Sequence, residues 1–384
     1  MIYLDNAATG GRKPDCVQRA VRACVEGVCA NPGRGGHAAA LAQAENVLRA
    51  RGLLSRFFGG AGAERVVFTK NCTEALNMAL FGAVRAYAHL YTRARPHIVT
   101  TAMEHNSVLR PLFALQRAGE ISLTVVPLTE GTVRPEAIAA AVNGQTLLAV
   151  HTLASNVTGA AVDPAAVRAL LPERVLLVCD GAQACGHVPV DMRKAGIDAL
   201  CVAGHKGMQG IQGAGALLLS ARFDPAPFAY GGTGSVSFDE NMPAFFPDRL
   251  EAGTLSCPAV ASLAEGALYL LPRMERIAAH LTRGTAYLAE ALRTIDGVRV
   301  YGGANPYGIL SFASANMQSE LFAQALSDEY GIAVRGGLHC APRMHLALGT
   351  AEEGLVRVSL AENNTRAEAD TFLAAVRALA ARKG

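Results

Sequence analysis

Seven short, mostly apolar runs between Arg65 and Ser220 restrict the fold of this chain more than any other feature. They are Val66-Val67-Phe68, Ile98-Val99-Thr100, Leu123 to Val126, Leu147 to His151, Val175 to Cys179, Ala199 to Val202 and Ala214 to Leu219. Apolar residues follow one another without polar alternation, which suits strands covered on both faces of a mainly parallel sheet. Helix-like stretches separate them: Glu74 to Tyr87, Val108 to Ala118, Pro135 to Val142 and Pro164 to Leu171. Strand and helix in alternation is the pattern of an α/β domain, so a large domain with a mainly parallel seven-stranded sheet flanked by helices is expected.

Ahead of that block, Cys16 to Cys29 and Ala38 to Phe58 read as helices. Behind it, Phe223 to Ser256 is rich in Gly, Pro and Phe and is expected to be irregular. A helical stretch from Ala259 to Leu292 follows, broken near Pro272. Strands are expected near Val298-Arg299-Val300, Ile309 to Phe312 and Val356-Arg357-Val358, with helices at Ser319 to Tyr330 and Arg366 to Arg382. A chain of 384 residues suggests two domains. The large one is placed at residues 1–256, its N-terminal segment contributing to a smaller α+β domain at 257–384.

Charge excludes some partners. With 35 Lys and Arg against 32 Asp and Glu, the net +3 is too weak a bias to imply nucleic acid or an anionic membrane. No apolar stretch is long enough for a transmembrane helix, and no basic-then-apolar leader opens the chain, so a cytoplasmic protein is expected. Nine cysteines without a CxxC or a zinc-spaced Cys/His cluster read as reduced thiols rather than a disulfide framework or a metal site.

In open α/β sheets, ligands sit beyond the carboxyl ends of the strands. Five predicted strand ends there carry polar groups: Thr69 to Glu74, Thr100 to Asn106, His151 to Asn156, Asp180 to Gln183, and His205-Lys206. Lys206 follows a buried-looking strand and precedes Gly207 and Gly210. It is either a desolvated amine able to form a Schiff base or a surface lysine in a glycine-rich turn. Asp180 ends an apolar run, where a carboxylate needs a partner; it either faces a pyridinium nitrogen or caps the segment that follows. Thr73 either binds a phosphate at a helix start or caps that helix. His105 has a structural reading as well as a functional one.

Cys340 lies in Arg335-Gly336-Gly337-Leu338-His339-Cys340-Ala341-Pro342, where flanking Gly and Pro predict an accessible, mobile loop. Arg335 and His339 are candidates to favour its thiolate, and the alternative is a buried small hydrophobe. For Cys16, Cys24, Cys29, Cys179, Cys185 and Cys201, burial is expected, and Cys72 and Cys257 read as neighbours of the site. Arg357, within Val356-Arg357-Val358-Ser359, reads either as a carboxylate clamp or as a strand-edge surface arginine.

At these residues the sequence resembles the cysteine desulfurases, in the class V aminotransferase group of fold-type I enzymes dependent on pyridoxal 5'-phosphate (PLP). The matching segments are Tyr3-Leu4-Asp5-Asn6-Ala7-Ala8-Thr9, Asn31-Pro32-Gly33-Arg34-Gly35-Gly36-His37, Met103-Glu104-His105-Asn106, Ser155-Asn156-Val157-Thr158-Gly159, Asp180-Gly181-Ala182-Gln183, Gly204-His205-Lys206 and Glu251-Ala252-Gly253-Thr254. The resemblance implies that Lys206 carries PLP as a Schiff base, Asp180 pairs with the ring nitrogen and His105 stacks on the ring. It assigns Gln183 and Asn156 to the ring oxygen and substrate side, and Thr73 and His205 to the phosphate. Thr254 would reach the phosphate of the other subunit in a homodimer. Arg357, Asn156, His37 and Arg335 would line the substrate side, and Cys340 would take sulfur from L-cysteine as a persulfide, releasing alanine and passing sulfur to an acceptor.

Two departures from the family pattern stand out. Ala203 occupies the place of a common phosphate-binding serine, so one hydrogen bond worth ~1.5–3 kcal/mol is expected to be missing. Leu338 replaces the first histidine of a GHHC pattern. A selenocysteine lyase, another class V aminotransferase or β-lyase, and a non-catalytic sulfur-carrier scaffold stay open as alternatives at this point.

Overall fold

The computed structural model describes residues 1–33, 35–91 and 94–382; Arg34 of the Asn31–His37 segment lies outside the described residues. The chain runs β1 (Ile2–Tyr3), α1 (Asp15–Glu26), α2 (Ala38–Phe57), β2 (Val66–Thr69), α3 (Cys72–Tyr87), β3 (His97–Thr101), α4 (Asn106–Arg117), β4 (Ser122–Val126) and α5 (Pro135–Ala140). It continues through β5 (Thr146–Thr152), α6 (Pro164–Leu170), β6 (Leu176–Asp180), α7 (Met192–Ala195), β7 (Ala199–Ala203) and β8 (Gly215–Leu219). After an irregular stretch come α8 (Cys257–Leu270), α9 (Met274–Arg293), β9 (Val298–Tyr301), β10 (Ile309–Ser314), α10 (Ser319–Tyr330), β11 (Ile332–Ala333), α11 (Pro342–Leu348), β12 (Val356–Ser359) and α12 (Arg366–Ala380).

All seven apolar runs become strands of one sheet, in the order β2-β8-β7-β6-β5-β3-β4. Pairing is parallel from β4 through β3, β5 and β6 to β7, and antiparallel where β8 meets β7 and β2. Strands β5 to β8 are buried at every residue, which is what their unbroken apolar character predicts. One face packs against α3 and α4 through Leu76, Leu80, Leu112 and Phe223. On the other face, a single apolar cluster runs from Leu54 and Leu153 to Phe312 and Phe372, so packing is continuous past residue 256. Beyond that residue a three-stranded antiparallel sheet, β12-β10-β9, is formed.

The sequence reading misses four short pieces, β1, β11, α7 and α11. Strand β1 pairs in parallel with β11, tying the N-terminus to the C-terminal part of the chain. Two-residue strands carry no readable period, and their pairing across the chain leaves no local trace. Helix α7 has only four residues, and α11 begins at Pro342, whose fixed φ and missing N–H suit the first turn. No helix among the described residues is long and apolar enough to cross a membrane.

Candidate active site

Asp180 is the last residue of β6 and is 2% exposed. Its Oδ1 accepts from the Ala182 N–H at 2.9 Å and from the Cys72 thiol at 3.4 Å. The two readings of Asp180 are therefore compatible: one oxygen shapes the turn while the carboxylate charge faces the groups around it. Burial, then the Asp180 charge, push the Cys72 thiol well up, so this cysteine is an inert donor and not a nucleophile.

Lys206 follows β7 by three residues. Its ammonium is lowered below the usual lysine value, chiefly by desolvation, with Arg357 and Arg335 pushing the same way and Asp180 and Cys72 opposing. The glycines beside it have a packing reason that composition did not reveal. A Cβ on Gly207 would lie 2.6 Å from the Cys185 carbonyl oxygen, and one on Gly204 would lie 2.6 Å from that of Ala214. Backbone, not ligand, fills the space where those side chains would stand.

His105 caps α4. Its Nδ1 accepts from the Ser107 N–H at 3.0 Å and from the Ser107 hydroxyl at 2.8 Å, which leaves the proton of the neutral ring on Nε2. Desolvation lowers its pKa to about 4, with Lys206, Arg335 and Arg357 adding to the effect against Asp180. The ring is therefore uncharged at neutral pH. Glu104, the residue before it, is fully buried, bonded by the Thr101 hydroxyl at 2.5 Å, and pushed up to about 8 mainly by burial.

The segment carrying Cys340 reaches this group from the far end of the chain. The Asn156 Nδ2 donates to the His339 carbonyl at 2.7 Å, and the Asn106 N–H donates to the Cys340 carbonyl at 2.7 Å. Gly337 and Leu355 exchange two backbone hydrogen bonds of 3.1 Å. The loop is thus pinned along its length, a correction to the expectation of a mobile one. Arg335 Nη2 donates toward the Cys340 sulfur at 3.9 Å. His339 does not help the thiolate: it is 2% exposed, donates from Nε2 to the Leu355 carbonyl at 3.0 Å, and is held neutral by burial.

Arg357 is no surface residue. It is 1% exposed, pairs with Asp5 at 2.6 Å and donates to the Asn156 carbonyl at 3.2 Å, while its Nε has no partner. Asp5 is the member of this group that sequence reasoning did not single out. It stood within a quoted motif, but a contact across 352 positions has no spacing signal.

Other candidates are placed differently. Thr73 is exposed in the first turn of α3 and does not cap it; Asn71 does, accepting from the Glu74 N–H at 2.9 Å. His37 is exposed and caps α2, and Thr254 is exposed beside a separate cavity that Lys70 and Glu74 also line. Within one chain, neither joins the Lys206 group. Glu251, from the same segment as Thr254, forms a buried two-pronged ion pair with Arg51 and accepts from the Phe68 N–H at 2.6 Å, so it locks α2 to β2. Cys179, Cys185 and Cys201 are buried as expected, but Cys16 and Cys24 are only half-buried and Cys29, past the end of α1, is exposed. Cys257 is buried at the start of α8, where it lines a groove with Cys24 rather than the Lys206 group.

Among the described residues, the buried polar atoms without a partner include Gln183 Oε1, three residues after Asp180, His205 Nδ1, next to Lys206, and Nε of Arg357, whose charge acts on Lys206. An unpaired buried polar atom costs ~1–3 kcal/mol, so a concentration of them beside a desolvated lysine and a carboxylate marks a place for a polar ligand. A ligand with an aldehyde, a basic ring nitrogen, a hydroxyl and an anionic group would satisfy the amine, the carboxylate, the Gln183 acceptor and the Arg357 donor. The residues fit PLP. Ala203, 2% exposed at the end of β7, offers that ligand only a methyl group.

Residues 2–372 match the family model for class-V aminotransferases. A probable cysteine desulfurase of Methanothermobacter thermautotrophicus is 34% identical over 377 residues, covering 96% of this chain and 92% of the relative. A cysteine desulfurase of Salmonella agona is 30% identical, covering 97% of this chain and 92% of the relative. Among solved structures, the apo cysteine desulfurase of Thermococcus onnurineus superimposes with a TM-score of 0.89 at 28% identity, over 99% of this chain and 94% of that one. A cysteine desulfurase from Escherichia coli gives 0.87 at 26% identity, over 98% and 94%.

Proposed function

We propose, for a chain that belongs to the class-V aminotransferase family and within it to the cysteine desulfurases, that Lys206 and Cys340 divide the chemistry between them. The protein is a PLP-dependent cysteine desulfurase, converting L-cysteine to L-alanine. Lys206 would anchor the cofactor, with Asp180 at its ring nitrogen, His105 at its ring face, Gln183 and Asn156 at its ring oxygen, and Thr73 and His205 at its phosphate. When bound, PLP supplies an electron sink for charge developing at the substrate Cα.

The chain's own residues do the rest. Arg357 and Asn156 hold the substrate carboxylate, Arg357 through a guanidinium already fixed by Asp5 and with Nε still free to donate. Lys206, depressed by desolvation, is the base that accepts the α-proton. Neutral His105 adds no positive charge to oppose that transfer. The Cys340 sulfur then attacks the substrate sulfur beside the Arg335 cation. An S–S bond forms, the Cβ–S bond breaks, and its electron pair stays on the three-carbon fragment, which takes up protons and leaves as L-alanine. Sulfur remains on Cys340 as a persulfide for an acceptor.

The exposure of Thr254 and His37 supports a homodimer in which each would face the partner's site. Nine unpaired cysteines suit the reducing cytoplasm. The three-stranded sheet that lies wholly after residue 256 supports a small domain at 257–384. The observation that carries the mechanism is the pair of hydrogen bonds, from Asn156 and Asn106, that hold the Cys340 segment to the Lys206 side. Incubation of the purified protein with L-cysteine, without reductant, tests it. One alanine per added sulfur on a Cys340 peptide is expected; alanine without that adduct would overturn the nucleophile assignment.

A further inference from the structure

Behind the Lys206 loop lies a second space, a cavity of about 570 Å³ between the segment before α1, the α8–α9 turn and residues 361–363. It contains none of Asp180, His105, Arg357 or Cys340. Lys206 also lines it: its amine feels Asp180 and the two arginines, and its carbonyl lies 3.4 Å from where a Cβ on Gly10 would stand.

Besides Lys206, three cations from two stretches line this cavity: the adjacent Arg12 and Lys13, and Arg273. Lys13 is half-buried, and among the described residues its ammonium makes a single hydrogen bond, 2.8 Å to the His205 carbonyl. That carbonyl already accepts from the Gly10 N–H at 2.9 Å and from the Thr9 hydroxyl at 3.3 Å. An acceptor with two lone pairs is fully served by those two donors, so Lys13 is the one it can lose. An ammonium has three protons to donate, and two of the three on Lys13 are uncommitted. Desolvation accordingly lowers its pKa to about 8, the cost of a charge without a counter-ion. Arg273 is held open by its ring contact with Tyr269, 4.4 Å from the centroid, and by a 2.8 Å bond to that residue's carbonyl. Of the two acids lining the space, Glu362 is engaged by the Tyr269 hydroxyl and Asp15 is solvent-exposed.

We propose that this cavity is a binding site for a small oxyanion, a phosphate or carboxylate, held by Lys13, Arg12 and Arg273. The ligand would draw Lys13 from the His205 carbonyl, so occupancy is felt at the residue preceding Lys206. The proposal does not depend on the chemistry assigned to Lys206.

Titration calorimetry of the PLP-loaded protein at constant ionic strength tests it, with inorganic phosphate in one arm and malonate in the other to separate the two ligand sources. Saturable binding is expected in at least one arm, weakened at least about tenfold in Lys13→Gln and several-fold in Arg12→Gln, an exposed position where folding is not at risk. Phosphate captured by an empty cofactor site would be indifferent to both substitutions. Absence of saturable binding in both arms, or equal affinity in wild type and both variants, overturns the proposal.

Discussion

Two loops carry Lys206 and Cys340, the two groups proposed to react, and they are built on different principles. Lys206 sits just past a strand buried at every residue, and its neighbours Gly204 and Gly207 are pressed against the Ala214 and Cys185 backbones. Cys340 has no such strand behind it. His339 and Cys340 are consecutive non-glycine residues in the left-handed region, with φ of 50° and 57°, each costing ~1–3 kcal/mol. That conformation is held by bonds from Asn106, Asn156 and Leu355, two of which come from the sheet-bearing part of the chain. Lys206 is fixed by core packing, Cys340 by a few polar contacts working against backbone strain. The lesson is that the Lys206 environment should tolerate loss of a single polar contact, whereas the Cys340 segment should not.

Substitutions at the two reactive groups separate the regions most sharply. Lys206→Ala should remove both borohydride labelling of the cofactor site and alanine formation, the latter by at least about 10⁴-fold. Cys340→Ala should bring cysteine desulfuration to background while borohydride labelling of Lys206 persists; loss of both would mean that the loops are one unit. Next in size, Asn156→Ala removes a buried bond to the Cys340 segment and should lower kcat/KM about ten- to hundredfold, with persulfide formation on Cys340 slowed in single-turnover mass measurements.

A smaller effect appears with pH. His105 has a folded-state pKa of about 4, below its ordinary 6.5, so the unfolded chain binds more protons between those values. Its contribution is intact above pH 6.5 and is lost as pH falls toward 4, with a slope of up to ~1.4 kcal/mol per pH unit. His205, lowered to about 4 by desolvation and by Lys206 and Lys13, acts in the same direction. Thermal melts of wild type and His105→Gln should diverge least at pH 5 and most at pH 7 if the Ser107 bonds are kept only by the imidazole; parallel curves would remove His105 from the titration. Smallest of all, Leu338→His at a site 40% exposed should shift stability by no more than ~0.5 kcal/mol in urea melts, showing that the side chain there does not hold the loop.

Much of the sheet was legible because burial on both faces writes itself into local composition. Val175 to Cys179 could hardly be anything but a covered strand, and Asp180 at its end was conspicuous against it. Asn71 as the cap of α3, in place of Thr73, was readable in principle, since Asn two residues earlier is an equally good cap. By contrast, the Arg357–Asp5 pair, the Arg51–Glu251 pair and the β1–β11 pairing join residues hundreds of positions apart. Nothing in their neighbourhoods announces a partner.

The sequence by itself determined the alternation of strands and helices, the polar strand ends and the family to which their spacing is similar, because each depends on short-range pattern. Tertiary structure alone decided that the Cys340 segment is pinned rather than loose, that His339 is a buried neutral ring, and that Arg357 is interior and ion-paired. It also placed His37 and Thr254 away from the Lys206 group of their own chain. Burial and hydrogen-bond partnership are properties of what surrounds a residue, and for these residues the surroundings come from distant parts of the chain.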